Sequence, residues 1–265
     1  MAGSTSPIWL GQQRGVPGSG GLADLVDTAK IGRRTDAAWS ELKPTLERLV
    51  NGLNARSVLE IGGGRHPFLG LEEAERNGFR LAVNDLDAEE LKYAPSGYDR
   101  VVFDVARDID RDVIEMGAYD LVFSRMVFEH VRDARKAWSN VRDLLAPGGV
   151  GLAFVPTLYS PPFVLNRLMP EVLTSRLVSM LDRSRNAAEI PKFPAYYQAC
   201  RASEESLRPF LMGLGFREVC VVPFFGTPYF PRIPVLAQVA RAFDRLAEAR
   251  DWRVFASYAY IVARK

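Results

Sequence analysis

Short apolar runs recur along the chain and alternate with stretches whose apolar residues are spaced for one face of a helix. Five runs have the length of buried strands: Val58–Ile61, Leu81–Asn84, Val101–Phe103, Leu121–Ser124 and Val150–Val155. Because helical stretches separate these runs, the pattern predicts a parallel sheet covered on both faces. Two later runs, Phe216–Val222 and Phe255–Ala263, complete a predicted seven-stranded, mostly parallel, doubly wound α/β sheet.

Several helices are predicted between these strands. Thr35–Leu53 is expected to form one helix whose apolar face includes Trp39, with Pro44 in its first turn or at a bend. A further helix follows the fourth strand. Ser203, which precedes two glutamates, predicts the N-cap of another helix, because a hydroxyl and acidic residues suit the positive end of a helix. The last predicted helix lies between the two final strands.

Two segments break the alternation. Residues 1–30 are rich in Gly and Ser, with Pro among them, and are predicted to form a flexible N-terminal arm before a domain of residues 31–265. Residues 156–202 are rich in Pro, aromatic residues and Arg, and include a short amphipathic stretch, Glu171–Leu181. We expect a helical lid insertion after strand five that covers a ligand and binds the acceptor. Its candidate acceptor-binding residues are Tyr159, Tyr196 and Tyr197.

The first predicted strand ends in three glycines within the stretch Ser57–His66, SVLEIGGGRH. Glycine lets the backbone turn sharply and approach a ligand without a Cβ in the way. Glu60 places a carboxylate beside this turn, which points to a cofactor less anionic than a phosphate group. Pro67 holds the place of the third glycine of Gly-x-Gly-x-x-Gly, and this disfavours a nicotinamide-dependent oxidoreductase.

The composition narrows the class of protein. The chain has 265 residues, 48% of them hydrophobic, and a formal net charge of +2, which fits one domain with a substantial core and no extended nucleic-acid-binding surface. Two cysteines and two histidines argue against a disulfide framework and a structural zinc site. No apolar run is long enough to span a membrane and no secretory signal is recognised, so a cytoplasmic location is expected.

The motif Glu-x-Gly-x-Gly at Glu60–Gly64 resembles motif I of the class I S-adenosylmethionine (SAM)-dependent methyltransferases. Later segments resemble the same family in order and spacing: VNDLDAEEL, VVFDVA, AYDLVFSRMVFEHV and NVRDLLAPGGVGLAFV. The resemblance covers Ser57–Val155. It implies the class I methyltransferase fold, with SAM as the cofactor and S-adenosylhomocysteine (SAH) as the product. It assigns these residues to cofactor binding: Glu60, Gly62, Gly63, Gly64, Asp85, Leu86, Asp104, Val105, Ser124 and Arg125.

Several site residues have a plainer alternative; for Gly62 and Gly64 it is tight strand–helix packing, and for Glu60 a surface acid that faces a helix. The resemblance implies that Asp85 binds both ribose hydroxyls, as a carboxylate with two acceptor oxygens can. Asp85 could instead cap the following helix, although Asp87 is the better cap. Asp104 is implied to hold the adenine amino group, but it lies in a generally acidic loop. His66 stands where the family often has a small residue; we expect it to line the substrate pocket or to pack at the start of a helix.

A hydroxyl acceptor must lose a proton, so a base near the methyl group assists the reaction. His130 is the candidate, because imidazole titrates near neutral pH and the residue follows the fourth strand. Glu129 is expected to orient the ring or to bind a cation; a purely structural role for both residues is the alternative. Ubiquinone-pathway O-methyltransferases hold a divalent metal with Glu-x-x-Glu-His at this place. Here Met126 replaces the first glutamate, and no metal is predicted.

The leading interpretation is a SAM-dependent O-methyltransferase that acts on a hydroxyl of a small molecule or glycan, of the kind used in sugar or natural-product biosynthesis. The expected partner is that acceptor, without nucleic acid, because the fourth-strand loop lacks the Asn/Asp-Pro-Pro-aromatic signature of amino-directed nucleic-acid methyltransferases. The alternatives are a nucleic-acid or protein methyltransferase, a nicotinamide-dependent oxidoreductase, and a non-catalytic module that keeps the SAM fold.

Overall fold

A computed structural model of the chain describes residues 21–158, 194–226 and 234–265. Seven strands form one sheet: β1 (Ser57–Ile61), β2 (Arg80–Asp85), β3 (Asp99–Val102), β4 (Tyr119–Arg125), β5 (Leu145–Pro156), β6 (Glu218–Phe224) and β7 (Tyr258–Arg264). Their order is β3-β2-β1-β4-β5-β7-β6, and β7 alone runs antiparallel to its neighbours. This confirms the predicted seven-stranded, mostly parallel α/β sheet.

Helices cover both faces of the sheet. In the described residues they are α1 (Leu22–Val26), α2 (Thr35–Ser40), α3 (Leu42–Leu53), α4 (Leu71–Asn77), α5 (Ala88–Lys92), α6 (Ala134–Leu144), α7 (Glu204–Met212) and α8 (Pro234–Ala249). One core layer joins Leu59 and Val122 of the sheet to Trp138 of α6. The other layer joins Leu121 and Phe123 to α3. Strand residues therefore alternate between two buried layers, as a sheet covered on both sides requires.

The predicted helix Thr35–Leu53 is in fact two helices, α2 and α3, with Glu41 between them. Pro44 lies in the first turn of α3, one of the two places that the sequence allowed. A proline ring clashes with the carbonyl of the residue four positions earlier, which here is Ser40, the last residue of α2. Trp39, on α2, is not part of the buried face of α3, and its side chain is 46% exposed.

Part of the predicted arm is folded onto the domain. Residues 21–30 include α1, whose Leu22 and Val26 are buried in the same core layer as α3. Residues 1–20 lie outside the described residues. The same holds for residues 159–193 of the predicted lid, including the stretch Glu171–Leu181. The two ends of that insertion meet, because the N–H of Leu158 donates to the carbonyl of Cys200 at 3.0 Å.

The last predicted strand begins later than expected. Arg253–Phe255 forms a short 3₁₀ turn, and β7 starts at Tyr258. The ring of Phe255 packs against Phe243 of α8 at a centroid distance of 5.1 Å, so a tertiary contact holds this residue outside the sheet. Within the described parts of the chain, no helix is long and apolar enough to cross a membrane.

Candidate functional site

The carboxyl ends of the parallel strands collect the predicted site residues at one edge of the sheet. Ile61, the last residue of β1, pairs with Asn84 of β2 and Ser124 of β4. The glycine turn, Asp85 and Arg125 therefore follow directly at the same level. In open α/β sheets this edge is where ligands bind.

The glycine turn is closed against two neighbouring loops. Gly62 and Gly64 have positive φ angles of 73° and 49°, which glycine adopts without strain. A Cβ added to Gly62 would lie 2.4 Å from a methyl carbon of Val127, and one added to Gly64 would lie 2.8 Å from Oδ2 of Asp85. Gly63 is held by its N–H, which donates to the carbonyl of Asn84 at 3.0 Å. Side chains at this turn would displace the loops after β2 and β4.

Glu60 is buried behind the turn. Its Oε2 accepts the N–H of Phe68 at 2.7 Å, so the carboxylate holds the loop that follows the glycines. Burial raises the pKa of this carboxyl to about 7, while the N–H of Phe68 and the charge of Arg125 oppose the rise. Cofactor binding by Glu60 stays a prediction; the contact seen is with the loop that shapes the turn.

Of the two predicted nucleoside-binding acids, Asp85 is the last residue of β2, next to the turn, and Asp104 lies in the loop after β3. Oδ1 of Asp85 accepts the N–H of Asp87 at 3.0 Å, and Oδ2 faces Gly64. Asp87 caps α5 through the N–H of Glu89, as the sequence favoured, so Asp85 is not the cap. Beside it, Leu86 is 66% exposed, and its contact with the cofactor stays a prediction.

Asp104 and Val105 follow β3 on the other side of Asp85. Oδ1 of Asp104 accepts the N–H of Ala106 at 2.8 Å, and Oδ2 forms an ion pair with Arg107 at 3.2 Å. Val105 is buried, and its carbonyl accepts from the amide of Asn140 at 2.8 Å. Asp104 thus retains a local structural role, and its contact with an adenine group stays a prediction.

The end of β4 and the loop that follows it carry the next candidates. Ser124 is buried, and its hydroxyl oxygen has no hydrogen-bond partner in the part of the chain that the structure describes. The guanidinium of Arg125 lies 4.7 Å from the ring centroid of Phe68, above the loop held by Glu60. Met126 has a φ of 56°, a strained value for a residue with a side chain. Such strain often occurs at functional sites.

Glu129 and His130 lie where this loop meets the end of the insertion. The N–H groups of Tyr196 and Tyr197 both donate to the backbone carbonyl of Glu129, at 2.7 and 3.1 Å. Nδ1 of His130 lies 3.1 Å from the carbonyl oxygen of Pro194. A carbonyl can only accept, so Nδ1 carries the proton, and in the neutral ring the lone pair is then on Nε2. Nε2 lies 3.8 Å from Oε1 of Glu129.

The side chain of Glu129 is 3% exposed, and among the described residues its Oε2 has no hydrogen-bond partner. Burial raises the pKa of this carboxyl to about 7. Burial, helped by the nearby charge of Glu129, also raises the pKa of the Cys200 thiol far above its usual value. Sequence reasoning missed Cys200 because its position beside Glu129 comes from the return of the chain after the insertion.

The remaining acceptor candidates are spread out. Tyr196 is on the surface under the guanidinium of Arg132, at 5.5 Å, whereas Tyr197 packs against the first core layer with a positive φ of 52°. His66 is exposed, and its N–H donates to the carbonyl of Gly63. The preceding residue, Arg65, forms an ion pair with Glu90 of α5 at 2.6 Å, so this part of the loop lies on the α5 side of the turn. Tyr159 lies outside the described residues.

A mostly parallel sheet with this strand order, a glycine turn after β1 and acids after β2 and β3 defines a nucleoside-binding methyltransferase domain. The family described as "methyltransferase domain" matches residues 33–216, more than half of the chain, and the protein belongs to this family. No curated protein matches the sequence.

Solved structures share the fold at low sequence identity. A SAM-dependent methyltransferase from Archaeoglobus fulgidus is 20% identical, with a TM-score of 0.50 over 85% of this chain and 94% of that chain. A SAM-dependent methyltransferase described as putative, from Listeria monocytogenes, is 17% identical, with a TM-score of 0.51 over 86% and 97%. The CurJ carbon methyltransferase is 17% identical, with a TM-score of 0.52 over 88% of this chain and 56% of that chain.

The protein is therefore a SAM-dependent methyltransferase, and its site fits the cofactor. Gly62 has no side chain and its backbone is exposed at the turn, and Asp85 directs a carboxylate oxygen to Gly64. The buried hydroxyl of Ser124 lacks a partner among the described residues. When bound, SAM supplies a methyl group on a positively charged sulfur. The described residues include no cluster of three or more His, Cys, Asp or Glu side chains that could hold a metal ion.

If Asp85 holds the ribose as predicted, Asp85→Ala removes two hydrogen bonds to a charged acceptor. Each is worth about 1.5–3 kcal/mol, so SAH affinity should fall roughly a hundredfold or more. Calorimetric titration with SAH measures this loss. Asp87→Ala is the matched control, because it removes the cap of α5 two residues away. Equal losses in both variants would mean that Asp85 acts only through the local fold.

Glu129→Gln should stabilise the protein more at pH 8 than at pH 5. With its pKa raised from 4.5 to about 7, the folded Glu129 keeps a proton that the unfolded chain releases in this window. Stability is thus lost as pH rises through this range, by on the order of 2 kcal/mol. A glutamine cannot ionise, so the variant avoids the loss.

Thermal unfolding of both proteins at the two pH values tests this. At each pH, only the difference in stability between variant and wild type is compared, because the carboxyl of Glu60 titrates in the same pH range. Glu47→Gln, at an exposed site on α3, should show no such pH dependence. A Glu129→Gln effect of equal size at pH 5 and pH 8 would contradict the prediction.

Proposed function

We propose that the protein is an O-methyltransferase that methylates a hydroxyl group of a small molecule or glycan. The observation that carries this proposal is the buried carboxyl of Glu129 beside the imidazole of His130, at the edge of the sheet where we expect the cofactor to bind. An amine with a lone pair can attack a methyl group without first losing a proton. A hydroxyl benefits from a base in hydrogen-bond reach.

His130 is the proposed base. The hydrogen bond from Nδ1 to the carbonyl of Pro194 orients the ring and places the lone pair of the neutral imidazole on Nε2, the atom proposed to take the hydroxyl proton. SAM, when bound, would supply the methyl group to the acceptor oxygen and leave as SAH, and Nε2 of His130 would take the hydroxyl proton. Glu129, 3.8 Å from Nε2, faces the imidazolium that forms and stabilises its charge when ionised. Arg125, Ser124 and the glycine turn belong to the cofactor side of this arrangement.

An acidic carbon would require the same base, and the structural neighbour CurJ is named as a carbon methyltransferase. Its identity of 17% supports the fold alone. The experiment is transfer of labelled methyl from SAM to four acceptor classes: neutral glycosides, phenols, amines and activated carbon acids. Mass spectrometry and NMR of the product locate the methyl group. A product methylated on oxygen is expected; methylation on nitrogen or carbon would refute the proposal.

Replacement of His130 should lower turnover by roughly 10²–10⁴-fold while SAH affinity stays nearly unchanged, because the base acts on the acceptor and not on the cofactor. Two variants distinguish the loss of the base from the loss of the hydrogen bond to Pro194. In His130→Asn the amide nitrogen takes the place of Nδ1 and can still donate to Pro194, whereas His130→Ala loses both functions. Steady-state kinetics with the acceptor found above, and SAH titration, provide the readout. Near-normal turnover in His130→Asn would assign the residue a positioning role only.

A further inference from the structure

We propose that Trp39 forms a stacking surface for the acceptor, and that the acceptor is a neutral, hydroxyl-bearing ring such as a pyranose. This inference rests on the proposed function. The sequence placed Trp39 on a buried helix face, but the structure leaves its side chain 46% exposed. The neighbouring residues Ala38 and Leu42 are fully buried, whereas Trp39 lies on the exposed side of the helix with Asp36 and Ser40.

The register of the sheet places Trp39 at the ligand-binding edge. The indole packs at about right angles against Phe154, with centroids 4.9 Å apart, and against Tyr258 at 5.9 Å. The last residue of β1, Ile61, is level with Ser124 and Ala153. Phe154 lies one residue beyond that level, opposite Arg125, and Tyr258 pairs with Pro156, three residues beyond it. Trp39 therefore lies past the level at which β1 ends, at the edge of the sheet that also carries Arg125.

The short helix that carries Trp39 is fixed in place. At its start, the N–H of Thr35 donates to the carbonyl of Phe225 and its hydroxyl to the carbonyl of Gly226, both at 2.9 Å. In its middle, the buried hydroxyl of Tyr260 donates to the carbonyl of Ala38. These bonds tie α2 to the ends of β6 and β7. A half-exposed indole on a rigid support is ordered before a ligand arrives, which lowers the entropy cost of binding.

The surroundings favour a neutral ring. An indole presents a large apolar face, which suits the C–H face of a sugar ring. Asp36, which is exposed, lies one turn before Trp39 on the same side of α2. Its carboxylate can accept hydrogen bonds from ring hydroxyls and repels anionic acceptors. An aromatic platform with a few polar groups at its border is the usual composition of a small-molecule site.

The test uses a panel of methyl pyranosides as probes, with full-length wild type and three variants: Trp39→Ala, Trp39→Phe and Trp252→Ala. Trp252 is the matched control, because it is 39% exposed and packs against Phe243 and Phe255. Those two rings belong to the opposite core layer. Calorimetry in the presence of SAH gives pyranoside affinity, and a separate titration gives SAH affinity.

Loss of one aromatic contact should weaken pyranoside binding about tenfold in Trp39→Ala. We expect a smaller loss in Trp39→Phe, which also keeps the packing on Phe154 if the alanine variant unfolds. Trp252→Ala and all SAH affinities should match wild type. The inference is overturned if no pyranoside binds wild type, or if both Trp39 variants bind as wild type does.

The two proposals can fail separately. Methylation of an open-chain alcohol at equal rates in wild type and both Trp39 variants would overturn the stacking role and leave O-methylation standing. An amino sugar that binds through Trp39 but is methylated on nitrogen would overturn the hydroxyl chemistry and support the stacking role.

Discussion

The sharp turn of Gly62 and Gly64 connects the ends of three strands. Its positive φ angles let the backbone turn directly after β1, where Val127 of the β4 loop and Asp85 of the β2 loop occupy the space that side chains would need. The carboxylate of Glu60 accepts a hydrogen bond from the N–H of Phe68 and so fixes the loop that follows the glycines. The positions of the cofactor-side loops thus depend on one local backbone conformation, which only glycine adopts at little cost.

The alternation of apolar runs and helical stretches was sufficient to predict the sheet and its class. The pattern failed at two places. In one of them a single backbone clash decides where a helix ends, and in the other a contact between residues distant in sequence decides where a strand begins. Pro44 divides Thr35–Leu53 because its ring conflicts with the carbonyl of Ser40, although the apolar spacing continues. Phe255 alternates like a strand residue, but its packing on Phe243 holds it in a 3₁₀ turn. Spacing alone cannot reveal either outcome.

The cofactor side of the site was more predictable than the acceptor side for a related reason. Glycines, Asp85 and Asp104 each follow a strand directly, so strand order is enough to bring them together. The environment of Glu129 and His130 depends on residues far along the chain: Pro194, which bonds His130, is 64 positions away. The burial of Glu129, which shifts its ionisation, arises only after that return. No local motif encodes such a contact.

The reversed direction of β7 has a consequence for how this architecture can diversify. Because β7 starts at the edge where the other strands end, the segment before it and the end of β6 both reach that edge, and Ser257 bonds Gly226 there. These segments, like α2, are separate from the turn after β1. A division of labour follows: recognition elements can change without disturbing the cofactor scaffold, so selectivity can evolve while the methyl donor is retained.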